Sequence, residues 1–571
     1  MAILAGWLSK QAIPEAVIEE RLLRMAAVLE QHGGERALVL QPGAGLVTFA
    51  DPLTGVTTQQ KTALLDWLPG QQTFVYRRPL TGWHPLYYVQ DWPEPGDLLF
   101  ASEIKALLAA GVPCRLFLPA LEAVRRYGFL PAPWTAFVGI EVVPAGSLLR
   151  WQQGRTLVSE LHDYRLAASA SEGEEGEATP DAVKAALREL DELLCAQSRH
   201  LLPLPAAPLL VLTAGTGAAA MSAELLSWVA QQQRQESSPS LQIATLAFAG
   251  QRRAYTSAEA LAERLQAGLL AIRGVDAPEY WLATVSAIEA PCALTFPLAL
   301  HQALHTAGVE SDARLALLGL GARPLLAPPP SPSLAGEESV ELFHSYSALL
   351  HGRSSRPRFP ITEGDQLWAP EVRRCLAESP SWEETRHARR LARKTLALRQ
   401  PWQRWRYLDL HLRLPDLLLQ TAQQLATFDR LILVAPFALP ELAEALALLP
   451  PDHEHLISQA TPGNQPSPLS LASLVQSYRR SSAETAWPAT TLLSAPARSL
   501  VAELTSTTAL SSIGRDLLAE TLTPTALLQT GIFAPKSVKA LQERSRGGSV
   551  PRELVLVFTT QLLCKLFGAT L

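Results

Sequence analysis

The sequence predicts an α/β protein whose N-terminal part is α+β. Three observations carry this. Residues 1 to about 110 alternate apolar and polar in short runs, the period of half-buried strands. After residue 181, strand patterns alternate with helical patterns, the layout of a parallel sheet covered by helices on both faces. An acidic low-complexity stretch, "ASASEGEEGEATPD" (168–181), separates the two regimes and is too polar to bury anything.

The bulk numbers agree. The chain has 571 residues, 48% hydrophobic and 18% charged, enough for two or three domains with sizeable cores. A net charge of -5 gives no general attraction to nucleic acid or to an anionic membrane. Cys114, Cys195, Cys292, Cys375 and Cys564 lie far apart, with no CxxC pair and no zinc spacing. Free thiols in a reducing cytoplasm are the expectation. The opening "MAILAGWLSKQAIPE" lacks a basic lead and a full apolar stretch, so no signal peptide is expected. Leu201 to Ala223 carries no charge, yet Pro203, Pro205, Pro208, Gly215 and Gly217 interrupt it. A buried strand, a turn and a helix fit it better than a membrane span.

In chain order, "AVIEERLLRMAAVLEQ" reads as a helix, and "ALVLQPGAGLVTFA", "QTFVYRRPL", "HPLYYVQ" and "DLLFAS" read as strands. Sheet plus helix makes two layers. "PDAVKAALRELDELLCAQSRHLL" has helical spacing, with Asp181 placed to cap it. "APLLVLTAG", "LQIATLAFAG" and "RLALLGLGA" read as strands, and "MSAELLSWVAQQQ", "SAEALAERLQAGLL" and "PLALHQALHTAG" as helices. A Pro-rich loop (323–339) leads to a helical region reaching about residue 450. Residues 460–470 and 481–491 read as loose, and 497–571 as helices. No internal repeat is visible.

"VLTAGTGAAAMSAELL" (211–226) has the layout of a phosphate-binding loop: strand end, glycine turn, helix start. It holds no Lys or Asp, and no Ser in the turn itself. In parallel sheets, ligands sit at the strands' C-terminal ends, where "TAGTG" and "GLGAR" both fall.

Residues 98–151, "LLFASEIKALLAAGVPCRLFLPALEAVRRYGFLPAPWTAFVGIEVVPAGSLLRW", closely resemble the junction of glutamine-hydrolysing asparagine synthetases. "FVYRRPLTGWHPLYY" (74–88) resembles that family's preceding strand pair. "LPDLLLQTAQQLATFDRLILVAPFALPELAEALALLP" (414–450) and "LLQTGIFAPKSVKALQE" (527–543) resemble its helical regions more weakly. The resemblance implies a shortened N-terminal nucleophile (Ntn) hydrolase domain over 1–112 and a junction with acidic linker over 113–180. It implies an ATP-pyrophosphatase (PP-loop, HUP-like) parallel α/β domain with C-terminal helices over 181–571. In the family, a cysteine at mature position 1 frees ammonia from glutamine, and the second domain adenylates a carboxylate with ATP and Mg²⁺.

Tested part by part, the chemistry is missing. Glutamine hydrolysis needs a thiolate activated by its own α-amine. The family's Met-Cys-Gly-Ile-Ala-Gly corresponds to Met-Ala-Ile-Leu-Ala-Gly, which puts Ala2 at the nucleophile. Its histidine-arginine-glycine-proline-aspartate stretch survives only as "QHGGERA" (31–37), and its glutamine-binding segment has no counterpart between Val39 and Gln71.

The nucleotide loop corresponds to Thr213-Ala214-Gly215-Thr216-Gly217-Ala218, with Gly217 where the family has Asp. Its partner loop corresponds to Leu318-Gly319-Leu320-Gly321-Ala322-Arg323-Pro324, with the carboxylates gone. Mg²⁺ needs oxygen ligands, and none stands at either place. Thr213, Gly215, Gly217, Gly319, Gly321 and Arg323 are therefore expected as vestigial nucleotide loops, with Arg323 able to pair with an anion. The family's Lys, Asp and Arg in the helical region become Gln420, Ala422 and Gln423. Its "PFLD" becomes Pro436-Phe437-Ala438-Leu439, and its "DEP" becomes Glu289-Ala290-Pro291.

His301 and His305 share a helical face without a third metal ligand nearby, so ordinary helix histidines are expected. "PDHEHL" (451–456) reads as a solvated loop. "RHARRLARKTLALRQPWQRWR" (386–406) is densely basic. Its arginines are expected to pair with the acids of "SWEETR" and other nearby carboxylates, with an anion, nucleic-acid or partner surface as the alternative.

The expectation is a non-catalytic relative with no cofactor and no metal. It would be a cytoplasmic pseudoenzyme that self-associates or pairs with an active relative. The rival is an ATP- and Mg²⁺-dependent amide-forming enzyme with a rebuilt site. A third reading is a module that keeps its pocket for another anion.

Overall fold

The computed structural model describes residues 3–50, 64–68, 71–164, 192–196, 199, 208–213, 222–227, 240–247, 252–274, 278–322, 325, 338–350, 366–398, 401–447, 515–545 and 550–571. Fifteen strands are described in three sheets.

The N-terminal part is layered around β1 (Ile3–Leu8). β1 lies in a six-stranded sheet with β2 (Glu35–Gln41), β3 (Ala44–Ala50), β6 (Tyr87–Gln90), β7 (Leu98–Ala101) and β8 (Glu141–Val142), in the order β2-β3-β1-β7-β6-β8. All its pairings are antiparallel. β1 is buried along its whole length because both faces are covered. Ile3, Ala5 and Trp7 point to the layer holding helix Glu15–Leu29, which offers Ile18, Leu22, Met25, Ala26 and Leu29 at helical spacing. Leu4 and Leu8 point the other way, into a second apolar cluster.

That cluster is the finding the strand patterns did not announce. It is roofed by a four-stranded sheet, β10-β9-β5-β4, made of β4 (Leu65–Leu68), β5 (Thr73–Arg77), β9 (Ser147–Gln152) and β10 (Arg155–Glu160). Instead of sheet and helix alone, the unit has three layers: helix, sheet and sheet. Phe74 and Tyr76 on β5, Leu149 and Trp151 on β9, and Phe100 on β7 fill the space between the sheets. In the stretch expected as a junction, β8 and β9 pair with β6 and β5, which precede residue 112, and β10 extends the second sheet through β9.

The later part holds a parallel sheet of β11 (Leu209–Leu212), β12 (Leu241–Ala247), β13 (Gly268–Arg273), β14 (Leu315–Leu318) and β15 (Ile432–Val434). The order is β13-β12-β11-β14-β15, and every pairing is parallel. β11 is at the centre and reads as an unbroken apolar run, as a strand buried on both faces should.

Two edge strands correct the sequence reading. The helix expected through "QAGLL" ends at Leu265, and Gly268–Arg273 is a strand. Gln266 takes a positive φ of 52, which ends the helix two residues before β13. The stretch "LILVA", expected within a helical region, contains β15. Both edge strands are short and lie beside helices, so period alone does not separate them. The C-terminal helices expected after residue 497 are described at Arg515–Thr521, Pro524–Thr530, Pro535–Ser545 and Arg552–Phe567.

Phe100 has no exposed surface and stacks on Phe74 with ring centroids 4.4 Å apart. Phe100→Ala empties the middle of the inter-sheet cluster. It is expected to lower unfolding stability by about 3–5 kcal/mol, read by chemical denaturation.

Candidate functional site

The structure brings the two expected loop starts together. β11 and β14 are neighbours, with Leu212 opposite Leu318. Connections leave β11 toward β12 on one side, while β14 lies on the other, so the strand order reverses between them. Thr213 and Gly319 therefore begin loops at the same crevice. Thr213 is buried, and its N–H donates to the Ala244 carbonyl at 3.0 Å, extending the β11–β12 ladder by one bond. Gly321 has φ +92, and a Cβ there would stand 2.6 Å from the Phe437 carbonyl oxygen. Only glycine permits both the turn and that backbone approach. Leu320, Ala322, Phe437 and Ala438 are buried around it. Gly215, Gly217 and Arg323 lie outside the described residues. Among the described residues, no group of three or more His, Cys, Asp or Glu is placed to hold a metal ion.

A second place was not anticipated. A cavity of about 40 Å³, room for a few waters, lies where the N-terminal sandwich meets the helical region. Tyr87, Glu289, Cys292, Asp416, Gln420 and Gln424 are among its lining residues. The helical side is a π-helical stretch, Asp409–Leu419, that runs directly into helix Gln420–Phe428. Pro415 lies inside it, lacking an N–H and too bulky for a regular α-helical turn; the wider turn accommodates it. On the opposite side Gly82 has φ +91, and a Cβ there would meet the Pro415 Cβ at 2.3 Å.

Arg78 is the centre of this contact and is only 1% exposed. Its guanidinium donates to the carbonyls of Gly82 (3.2 and 2.9 Å) and Val143 (2.7 Å) and to the Gln420 side-chain oxygen (3.1 Å). Burial lowers its pKa, and nearby Asp416 opposes that shift. The amide nitrogens of Gln420 and Gln424 donate to the Tyr87 hydroxyl at 3.1 and 3.0 Å. Gln423 accepts the His84 backbone N–H at 2.8 Å. Burial holds His84 neutral, with its pKa down to about 3. Asp416 accepts the Ala132 N–H at 2.9 Å, and burial pushes its pKa up to about 6.

Glu289 completes the joint. It has no exposed surface, and its two oxygens accept the N–H groups of Ile104 and Lys105, each at 2.8 Å. Those are first-turn amides of helix Ile104–Ala109 in the N-terminal part. Burial raises the Glu289 pKa to about 7, against the pull of the Lys105 ammonium. Cys292 is pushed up to about 12 by burial, so its thiol stays protonated and is no nucleophile. The chemistry here is hydrogen bonding between layers.

The remaining expected residues have structural partners. His301 and His305 both face Asp429, at 3.5 and 2.7 Å, and His301 also meets the Thr284 hydroxyl at 2.9 Å. "PDHEHL" lies outside the described residues. On the basic helix Arg386–Ala397, Lys394 bonds Glu160 and Asp163 at 2.5 and 2.6 Å, and Arg390 approaches Glu160 at 3.8 Å. Of the "EE" in "SWEETR", Glu383 pairs instead with Arg126 at 2.7 Å. All five cysteines are free.

Strands β4 to β10, with the two helices between β7 and β8, contribute to both sheets and carry Arg78, and this stretch decides the comparison. Residues 62–164 match the family model of a glutamine amidotransferase domain. No curated protein matches the chain. The matched stretch thus contains Arg78, His84 and Tyr87, which bond the helical region, and Glu103, which meets His32 and Lys105. Sequence reasoning missed these residues. An arginine pair inside the apolar run "FVYRRPL" was the visible signal, because a strand-end arginine in such a run needs acceptors nearby.

In the unfolded chain Glu289 and Asp416 ionise near pH 4. In the folded protein they do so near pH 7 and 6. The folded state therefore holds more protons across that window, and stability falls as pH rises through it. Tm is expected to decline from about pH 5 to pH 8, and Glu289→Gln to make that slope shallower. Differential scanning calorimetry across the range checks it; an unchanged slope in the variant would contradict the assignment.

Proposed function

We propose that the chain is a catalytically degenerate asparagine synthetase-like protein: a cytoplasmic pseudoenzyme that serves as partner, scaffold or regulator of an active relative. The amidotransferase match to residues 62–164 supports the N-terminal half of this reading. The later parallel sheet, of order β13-β12-β11-β14-β15, supports a PP-loop, HUP-like second half.

One observation carries the loss of chemistry. Where the resemblance places the helical region's charged residues, the chain has Gln420, Ala422 and Gln423, and these glutamines are occupied with Arg78, Tyr87 and His84 of the amidotransferase domain. Amides hydrogen-bond without carrying charge, so they suit a joint and cannot neutralise a triphosphate. Ala2 at the nucleophile position and Leu320, Arg323 and Pro324 in place of carboxylates point the same way.

The rival reading, an ATP-dependent amide-forming enzyme, draws on one feature: the glycine turn at Gly319 and Gly321 still stands at the switch point beside Thr213. Under that reading ATP and Mg²⁺ are cofactors; under the first, none is. Isothermal titration with MgATP separates them. No heat up to about millimolar ATP is expected, whereas a micromolar Kd, a binding free energy of about -8 kcal/mol, would overturn the proposal and call for a carboxylate-adenylation assay.

Association is the second test. The purified chain is expected to self-associate, or to co-purify with an active asparagine synthetase when the two are co-expressed. A stable monomer that leaves the active relative behind would count against the partner role.

A further inference from the structure

The "QHGGERA" remnant has a use that catalysis does not explain. His32 ends a single 3₁₀ turn, Glu30–His32, that follows helix Glu15–Leu29. Its side chain is 1% exposed and sits between the N-terminal sandwich and the helical region. Nε2 is 2.6 Å from a Glu103 carboxylate oxygen, and Nδ1 is 3.1 Å from the Thr427 carbonyl oxygen.

Both neighbours are acceptors. A neutral imidazole donates from only one nitrogen, so only the imidazolium can donate to both. Two features favour that charge. Glu103 is held below the ordinary carboxylate range: burial raises it, but the hydrogen bond to His32 and the Lys105 ammonium outweigh burial. Thr427 belongs to the last turn of helix Gln420–Phe428, whose carbonyl end attracts a cation.

The other charged groups around His32 are accounted for. Lys105 lies 3.2 Å from Glu103 and 4.0 Å from Glu289. Glu30 is turned to Arg36 at 2.7 Å, and Asp429 to His301 and His305. Arg430 donates to the Gln31 carbonyl at 3.0 Å, a second bond across the same contact. The Gln31 side-chain amide is 3.2 Å from Nε2, farther than Glu103, and its two ends interchange by a flip.

We propose that His32 is a proton-operated coupling between the N-terminal sandwich and the helical region: charged, it bonds Glu103 and Thr427 together, and on losing its proton it must release one of them. The coupling is independent of whether the chain is an enzyme.

The test uses the full chain. Selective ¹⁵N-histidine labelling reads the ring directly, with the His32 signal assigned by its loss in His32→Gln or by its contacts to Glu103. Both ring nitrogens are expected to carry protons at about pH 7; a neutral single tautomer there would overturn the proposal. Hydrogen exchange at Ile104 and Lys105, the amides bonded to Glu289, reads the consequence. In His32→Gln, where a glutamine cannot donate in both directions from the same position, exchange is expected to be faster than in the native chain by roughly tenfold at the same pH, the effect of one charge-assisted hydrogen bond. Equal protection in the two proteins would also sink the idea. If His32→Gln does not accumulate, the ring protonation in the native chain decides alone.

Discussion

A helix that begins inside an interface carries amide hydrogens that its own turns cannot satisfy. Helix Ile104–Ala109 begins in that way, and the acceptors come from another part of the chain: both oxygens of Glu289. That requirement organises the molecule. An unmet buried N–H costs about 1–3 kcal/mol, so the joint can close over these two amides only with the Glu289 oxygens in place. Glu289 itself takes a positive φ of 52, an uncommon conformation for a side-chain-bearing residue, which aims the carboxylate across the joint. Arg78, buried and donating to two carbonyls and an amide, imposes the same condition from the opposite side.

The joint solves a problem of charge with few charges. Three glutamines on one helical turn, at positions 420, 423 and 424, take up a guanidinium, a phenol and a backbone amide. A lysine or arginine in this place would add a cation beside Arg78 and demand another buried anion. Neutral amides avoid that demand and match donors to acceptors on both sides. The carboxyls that remain, Glu289 and Asp416, are pushed toward their neutral forms by burial, which limits the cost of holding them there.

Much of the fold could be read from residue patterns, and the reasons are visible in particular elements. β11 and β14 are unbroken apolar runs because the sheet is covered on both faces. Helix Glu15–Leu29 shows its buried stripe at helical spacing. The edge strands β13 and β15 were hidden, since six and three residues beside a helix give too short a period to register. The second sheet was hidden for another reason: β6, β7, β8 and two helices lie in the chain between β5 and its partner β9, and sequence distance says nothing of pairing. The strand ends at Thr213 and Gly319 were legible as a crevice because strand-turn-helix spacing is local. The joint was not, because Glu289, Arg78 and Gln420 meet only after three separate stretches fold together.

Glycine turns and ligand chemistry answer to different forces, and the crevice separates them. Gly321 is required by its φ and by the Phe437 backbone lying against it, whatever the crevice binds. Packing between two loops is therefore enough to require this glycine. Mg²⁺ would instead require oxygen ligands at the matched places, where the chain has Gly217, Leu320 and Pro324. Under the proposed reading, a backbone plan outlasts the reaction it once framed because the same turns also hold a core together. Here the turn at Gly321 backs onto Phe437, and the helix that precedes β15 carries the glutamines that grip Arg78 and Tyr87. Loosening either would disturb the sheet and the joint at once, so the architecture has a reason to remain that does not pass through catalysis.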